Sequence, residues 1–463
     1  MLFRFPYVFL LAIAVVAFVI RAYNLSYNSI FVDEAFYIVI GQDILAGKIV
    51  EVYGAISWVG AFPFIYPLFS GIFYSLGGII GTRLLNVELG TICVVLVFLF
   101  TRSLNLFSDK RSNNIAGLVA ASLLATTAVP IQLSRIAIYD MLSFTIFLLG
   151  LIFYLKAFGE KNKKWYFLAA VTIFVSYLAK YITLIYIPIF IVSGWFVPEI
   201  RRKNFTFYFS VPLFIFTSLY ILINLPNLLE YFSGQVGDTS TTQLDVLNVF
   251  WQASASILGL AIVGAAIFWK EKKESVMALL FMAAVPVLLH TFTTNNTSSE
   301  QHAFLVLIFL FPLVAAFFTY LITKSRIVGI TVTVMFVILN FFYSYPQVRA
   351  AENFWPNSEA AIAVIKKNVS SGDVILAEGS DTVFLGLGRK IPIEQVVGPF
   401  VFEYKNLEGI GAYLKAIDDR YFKLVELESV YFSEEDMQKI EERLELGYTK
   451  IFDDGKIRVY QRL

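Results

Sequence analysis

Two adjacent carboxylates, Asp33 and Glu34, lie just beyond the first long apolar run of this 463-residue chain. An acid pair of this kind can take a proton from a hydroxyl, orient a nucleophile or hold a cation. It can equally cap a helix or sit in a solvated loop. Other ionisable residues stand at the ends of apolar stretches. Arg83 opens one, and Arg135 and Asp140 bracket the turn Ser134-Arg-Ile-Ala-Ile-Tyr-Asp140. Lys180 closes another, and Glu300 and His302 precede a further one. Ionisable groups so placed are costly and tend to line a cavity or pathway. Each also has a plain structural role open to it. Arg83 and Lys180 could reach lipid phosphates, Arg135 and Asp140 could form an ion pair, and His302 could be a satisfied structural histidine.

The elements that must position these groups are membrane helices. Hydrophobic residues make up 58% of the chain and charged ones only 15%, outside the range of soluble domains. A net charge of +1 gives no electrostatic footprint for nucleic acid. The single cysteine, Cys93, excludes a disulfide framework, and two histidines leave little room for a zinc cluster. Phe5–Ile20 carries no charge and, with its flanks, is long enough to cross a bilayer. Arg21-Ala-Tyr-Asn24 offers no small-residue cleavage site, so this is expected to be a retained first helix rather than a secretory signal.

Basic residues cluster in alternate loops: Arg102/Lys110/Arg111, Lys156/Lys161/Lys163/Lys164, Arg201/Arg202/Lys203, Lys270/Lys272/Lys273 and Lys324/Arg326. The loops near 225–245 and 291–302 contain neither Lys nor Arg. By the positive-inside rule the N-terminus is cytoplasmic and Asp33-Glu34 is on the outer face. Spans are expected near 4–22, 84–103, 113–132, 140–157, 165–181, 183–199, 205–224, 246–269, 275–291, 303–322 and 326–345, about eleven in all. Phe64–Ile80 is apolar, but counting it as a span would reverse every later helix. With Pro67, Gly71, Gly77 and Gly78 it is read as lying in the outer interface.

Two domains follow: a membrane domain over 1–345, whose outer loop 23–82 holds the interfacial segment, and an extracytoplasmic α/β domain over 346–463. In the latter the pattern predicts helices at Ser358–Asn368, Leu407–Ile417 and Glu434–Leu446. Strands are expected at Asp373–Ala377 and Phe422–Leu427, with a closing hairpin of Thr449–Phe452 and Ile457–Gln461 around Asp453-Asp454-Gly455.

An Asp-Glu pair after the first span, a Pro-containing segment ending in Gly81-Thr-Arg83-Leu84, an Arg-x-x-x-x-Asp turn opening the fourth span and a Lys ending the fifth resemble the GT-C glycosyltransferases. The branch with dolichyl-phosphate-mannose–protein mannosyltransferases and lipid A aminoarabinose transferases is most similar, over roughly residues 1–322 in order of elements. The resemblance implies a GT-C fold in the plasma membrane. It also implies inverting transfer of a sugar from a polyprenyl (dolichyl-type) monophosphate to a hydroxyl of a lipid, glycan or protein acceptor.

On that resemblance Asp33 is the general base and Glu34 orients it or the acceptor. Lys180 and Arg83, with Arg135 third, bind the donor phosphate as its charge develops. Asp140 and His302 position substrate. The outer loop Leu225–Val246, polar near Gly234–Gln243, covers the loaded site. No metal is required for a monophosphate leaving group, although a divalent cation on Asp33, Glu34 or Asp140 stays open.

The chain departs from the family pattern in places. No base precedes the Pro-rich segment in Gly60-Ala-Phe-Pro-Phe-Ile-Tyr-Pro67, and Gln301-His302-Ala303 stands where Arg-Tyr often opens the tenth span. The Trp-Trp-Asp signature of oligosaccharyltransferases is absent.

Two other classes compete. A transporter or flippase predicts ionisable or helix-breaking residues at the midplane of paired repeats, whereas here they gather towards one face and the halves are dissimilar. A membrane-anchored binding subunit would work through its C-terminal domain, which lacks a glycine-rich phosphate loop or a triad pattern.

Overall fold

The computed structural model describes residues 6–160, 162–193, 199–236, 242–295 and 298–463. The chain divides into two compact units, one formed by Met1–Leu25 and Asp43–Arg349, the other by Ser26–Gln42 and Ala350–Leu463.

The first unit is helical. Among the described residues, six helices are long and apolar enough to cross a membrane by length and composition: Tyr66–Ser103, Asp140–Glu160, Arg202–Ile223, Gln243–Thr293, Ser299–Lys324 and Arg326–Glu352. The last of these runs across the division between the units. Pro6–Ala22, Lys110–Thr126 and Lys163–Ala179 are shorter. Ser299–Lys324 is apolar on every side, so it has no face suited to water. It is buried continuously from His302 to Ala316 and packs most extensively on Gln243–Thr293.

Some elements match the sequence expectation and others differ for a local reason. Phe64–Ile80 is set off from the following span by a kink at Gly77 and Gly78. It is mostly helical within Tyr66–Ser103, and at the kink Gly78 takes φ +61°. That left-handed conformation is open to glycine because no Cβ meets the carbonyl.

The span expected at 113–132 is two helices, Lys110–Thr126 and Ala128–Leu133. Pro130 has no N–H and its ring clashes with the carbonyl four residues back, that of Thr126, so the helix stops there. The spans expected at 246–269 and 275–291 are the two parts of Gln243–Thr293, separated by a kink at Lys272, whose φ −133° and ψ 35° are not helical. The span expected at 183–199 begins as a 3-10 turn, Tyr181–Tyr186, and continues as Ile187–Val192, with 194–198 outside the described residues.

The second unit contains a five-stranded mixed sheet. Its strands, in chain order with those of a small hairpin, are β1 (Ile375–Ala377), β2 (Val396–Val397), β3 (Glu403–Tyr404), β4 (Leu407–Glu408), β5 (Leu424–Leu427), β6 (Tyr448–Asp453) and β7 (Arg458–Arg462). The sheet order is β2-β1-β5-β7-β6, with β1 parallel to β2 and β5, and the β5–β7 and β6–β7 pairs antiparallel. β3 and β4 form a separate two-stranded ladder. The central strands β1 and β5 are buried at every position, Glu426 of β5 included. Helices Gly409–Asp418 and Glu434–Leu444 bury Tyr413, Ile417, Met437 and Ile440 against the sheet.

Ser26–Gln42 belongs to this unit rather than to the helical one. Asn28 Nδ2 donates to the carbonyls of Glu352 at 3.0 Å and Trp355 at 2.9 Å. Trp355 Nε1 donates back to the Ser29 carbonyl at 3.1 Å, and its ring packs on Phe31 with centroids 4.9 Å apart.

Candidate active site

The turn that carries Asp140 is set by Asn86. Its Nδ2 donates to the carbonyls of Ile136 at 2.5 Å and Ile138 at 2.8 Å, while Tyr66 Oη donates to its Oδ1 at 3.2 Å. Asp140 then opens helix Asp140–Glu160, where the unpaired N–H groups of the first turn favour a negative charge. Lys180 caps helix Lys163–Ala179 at its other end in an extended conformation, φ −155° and ψ 130°. The two helices are tied by Ser143 Oγ, which donates to the Ser176 carbonyl at 2.8 Å.

Lys180 Nζ donates to Asp140 Oδ1 in an ion pair. It also donates to Gln301 Oε1 at 2.8 Å and lies 4.8 Å from the centre of the Tyr139 ring. Both members of the pair are at most 2% exposed. Lys180 therefore does not snorkel. A buried ammonium is tolerated because an anion, an amide oxygen and a ring face share it.

His302 follows Gln301 directly, so the same helix start presents both. His302 is fully buried, with Nδ1 2.7 Å from His290 Nε2. The Tyr181 ring stands edge-on to it at 6.0 Å and packs on Tyr231 at 5.2 Å. Tyr231 comes from helix Leu225–Val236, so the stretch expected to be a covering loop is helical over that range. Its apolar side buries Leu228 and Tyr231, which explains the helix; 237–241 lie outside the described residues.

Arg83 is fully buried and donates to the Leu25 carbonyl at 2.8 Å. Arg135 is turned to the end of the first helix. Its guanidinium donates to the carbonyls of Arg21 at 2.8 Å, Tyr23 at 2.7 Å, Asn24 at 3.2 Å and Ile20 at 3.3 Å. These include acceptors that a helix C-terminus leaves unpaired.

Asp33 and Glu34 lie in the second unit, in the first turn of helix Val32–Leu45. Glu34 is fully buried and its Oε2 accepts from the Phe31 N–H at 2.9 Å, the return bond of a capping box. The charge of Asp33 is felt elsewhere in this unit. Burial, and then the Asp33 charge, push the Asp381 carboxyl up to about 6. Glu378 Oε1 and Oε2 accept from the N–H groups of Glu428 to Phe432, which fastens that loop. Burial raises the carboxyl of Glu428 to about 7 and that of its neighbour Glu426 well above the usual range. Among the described residues, no group of three or more His, Cys, Asp or Glu is arranged to hold a metal ion.

No family model matches the sequence, and no curated protein matches it. Solved structures do. ArnT from Cupriavidus metallidurans in the apo state aligns with 98% of this chain and 97% of its own, at 11% identity and a TM-score of 0.62. The same protein bound to undecaprenyl phosphate gives the same figures. The archaeal oligosaccharyltransferase AglB from Archaeoglobus fulgidus, in complex with an inhibitory peptide and a dolichol-phosphate, aligns with 99% of this chain and 74% of its own. Its identity is 12% and its TM-score 0.61. The fold is that of the GT-C glycosyltransferases.

Within the GT-C fold of this chain the helical unit brings Asp140, Lys180 and the Gln301-His302 pair together. Their partners were not singled out from sequence. Gln301 stands out only as a departure from the family pattern, Tyr139 and Tyr181 are ordinary neighbours in the chain, and Asn86 sits inside an apolar run. His290 alone left a signal: the chain's two histidines flank the same base-free loop.

Proposed function

We propose that this protein moves a sugar from a polyprenyl monophosphate to an acceptor hydroxyl, with inversion at the anomeric carbon. The observation that carries the proposal is the buried Asp140–Lys180–Gln301 cluster within a GT-C fold. Two proteins of that fold are described with undecaprenyl phosphate or dolichol-phosphate bound. Alternation of basic loops supports about eleven spans, with the C-terminal α/β unit on the outer side of the plasma membrane.

In the reaction the acceptor oxygen bonds to the anomeric carbon as the bond from that carbon to the phosphate oxygen breaks. The acceptor proton passes to a carboxylate, and the carrier leaves as a phosphate monoester with added negative charge. Lys180 meets that charge with an ammonium held in place beforehand, so little reorganisation is needed as the charge develops. Asp140 acts as a positioning residue: it fixes Lys180. Arg83 is the second proposed phosphate contact, and Arg135 is left out because its two terminal nitrogens donate to backbone carbonyls at and just beyond the end of the first helix. Asp33 keeps the general-base role that the residue-by-residue resemblance implies. Glu34, bonded to the backbone of its own helix, orients that turn. Cationic side chains handle the monophosphate without a required metal.

The test is transfer by the reconstituted full chain from a radiolabelled panel of polyprenyl-phosphate hexoses and pentoses, with and without EDTA. Asp33→Asn is expected to lower the rate by ~10²–10⁴-fold, the usual contribution of a general base. Equal transfer by both proteins would remove Asp33 from the chemistry. No transfer from any carrier would overturn the proposed reaction.

A further inference from the structure

Only two histidines occur in the chain, and they touch each other inside the helical unit. Their hydrogen bonds set a polarity. The carbonyl of Asn295 lies 2.7 Å from His290 Nδ1, and a carbonyl only accepts, so His290 Nδ1 carries the proton. A neutral His290 then has a bare Nε2. That atom is 2.7 Å from His302 Nδ1, which must be the donor. His302 is left with an unprotonated Nε2, fully buried, that meets no hydrogen-bond partner among the described residues. The opposite polarity would place a second cation in this buried setting, within reach of the Lys180 charge.

A buried acceptor with no donor is unfavourable, and such atoms in a native fold call for a partner. The neighbours narrow the partner's chemistry. Gln301, adjacent in sequence, accepts from Lys180, the cation proposed above to meet the carrier phosphate. The Tyr181 ring stands edge-on to the imidazole. A group that satisfies this bare, buried Nε2 must donate a hydrogen bond without bringing in a further charge, which a sugar hydroxyl does.

We propose that His302 Nε2, locked as an acceptor by His290 and the Asn295 carbonyl, takes a hydrogen bond from a hydroxyl of the donor sugar. This deepens the proposed function and rests on it for the identity of the ligand, while the tautomer lock stands on geometry alone. His290 is then a positioning residue that acts through His302.

With two histidines, ¹⁵N-histidine labelling of the full chain in nanodiscs yields four ring-nitrogen signals, separated into two pairs by His290→Leu. The resting protein should show both rings as the Nδ1–H tautomer with both Nε2 atoms unprotonated. The His302 Nε2 signal should shift with at least one member of the panel of polyprenyl-phosphate hexoses and pentoses, and stay unchanged with sugar-free polyprenyl phosphate. In His290→Leu the Nε2–H tautomer of His302 should appear alongside the first.

An Nε2–H or doubly protonated His302 in the resting protein would overturn the lock. An equal shift with the sugar-free carrier, or no shift with any carrier, would overturn the sugar contact. The spectra need no turnover, so an absence of transfer with the lock intact would count against the proposed reaction alone.

Discussion

Replacing both members of the Asp140–Lys180 pair separates its structural role from its chemical one. In Asp140→Asn the ammonium loses its anion but keeps Gln301 Oε1 at 2.8 Å and the Tyr139 ring at 4.8 Å. Removing one partner of a buried pair costs about 3–5 kcal/mol. A retained bond to a charged donor and a ring face offset part of this, so the low end, about 3 kcal/mol, is expected. Lys180→Met strands a carboxylate that is 2% exposed. Only the helix N-terminus compensates it, by about 0.3–1 kcal/mol, so this variant is expected to lose about 4 kcal/mol.

The double variant buries no charge and is expected to return to within about 1–2 kcal/mol of the starting protein. Denaturant unfolding in mixed micelles reads these differences. Activity should not follow stability. Loss of one preorganised donor to a developing anion costs about 10²–10³ in rate, and Lys180→Met and the double variant should both show it. Asp140→Asn should retain more activity than either. Recovery of transfer in the double variant together with its stability would refute a phosphate role for Lys180 and leave the pair purely structural.

Two further outcomes follow from packing and charge. A Cβ at Gly264 would overlap the Leu313 carbonyl on the facing helix, whereas one at Gly259 meets nothing within 4 Å. Thermal unfolding should place Gly264→Ala about 1–3 kcal/mol below the starting protein and Gly259→Ala about 0.5–1 kcal/mol above it; equal effects would contradict the close helix crossing. In the second unit Asp381 and Glu428 carry folded values of about 6 and about 7, above those of the unfolded chain. The folded state therefore binds more protons, and their stabilisation, full in acid, is lost as pH rises through these values. Unfolding midpoints of the full chain between pH 4 and 8 should fall, and Asp381→Asn should flatten the part near pH 6.

The sequence by itself determined what depends on composition and order. The apolar runs called for membrane helices, and the loop charges give the expectation of a cytoplasmic N-terminus. Acids and bases at helix ends marked Asp140, Lys180 and His302 as candidates, because a charge beside hydrocarbon is anomalous without knowing its partner. In the C-terminal unit the strands expected at Asp373–Ala377 and Phe422–Leu427 are Ile375–Ala377 and Leu424–Leu427, since short, mainly aliphatic runs are legible locally.

Tertiary structure decided the partners. Lys180 meets Asp140 across 40 positions and Gln301 across 121, and no local pattern carries such distances. The same holds for Arg135, whose sequence neighbour Asp140 suggested an ion pair. It bonds instead to carbonyls more than 110 positions away, because a helix end left unpaired in a buried setting demands donors. It holds also for Ser26–Gln42, which the sequence placed with the membrane helices and which packs with residues beyond Ala350. Periodicity reports which side chains are buried; only the packed chain reports what they are buried against.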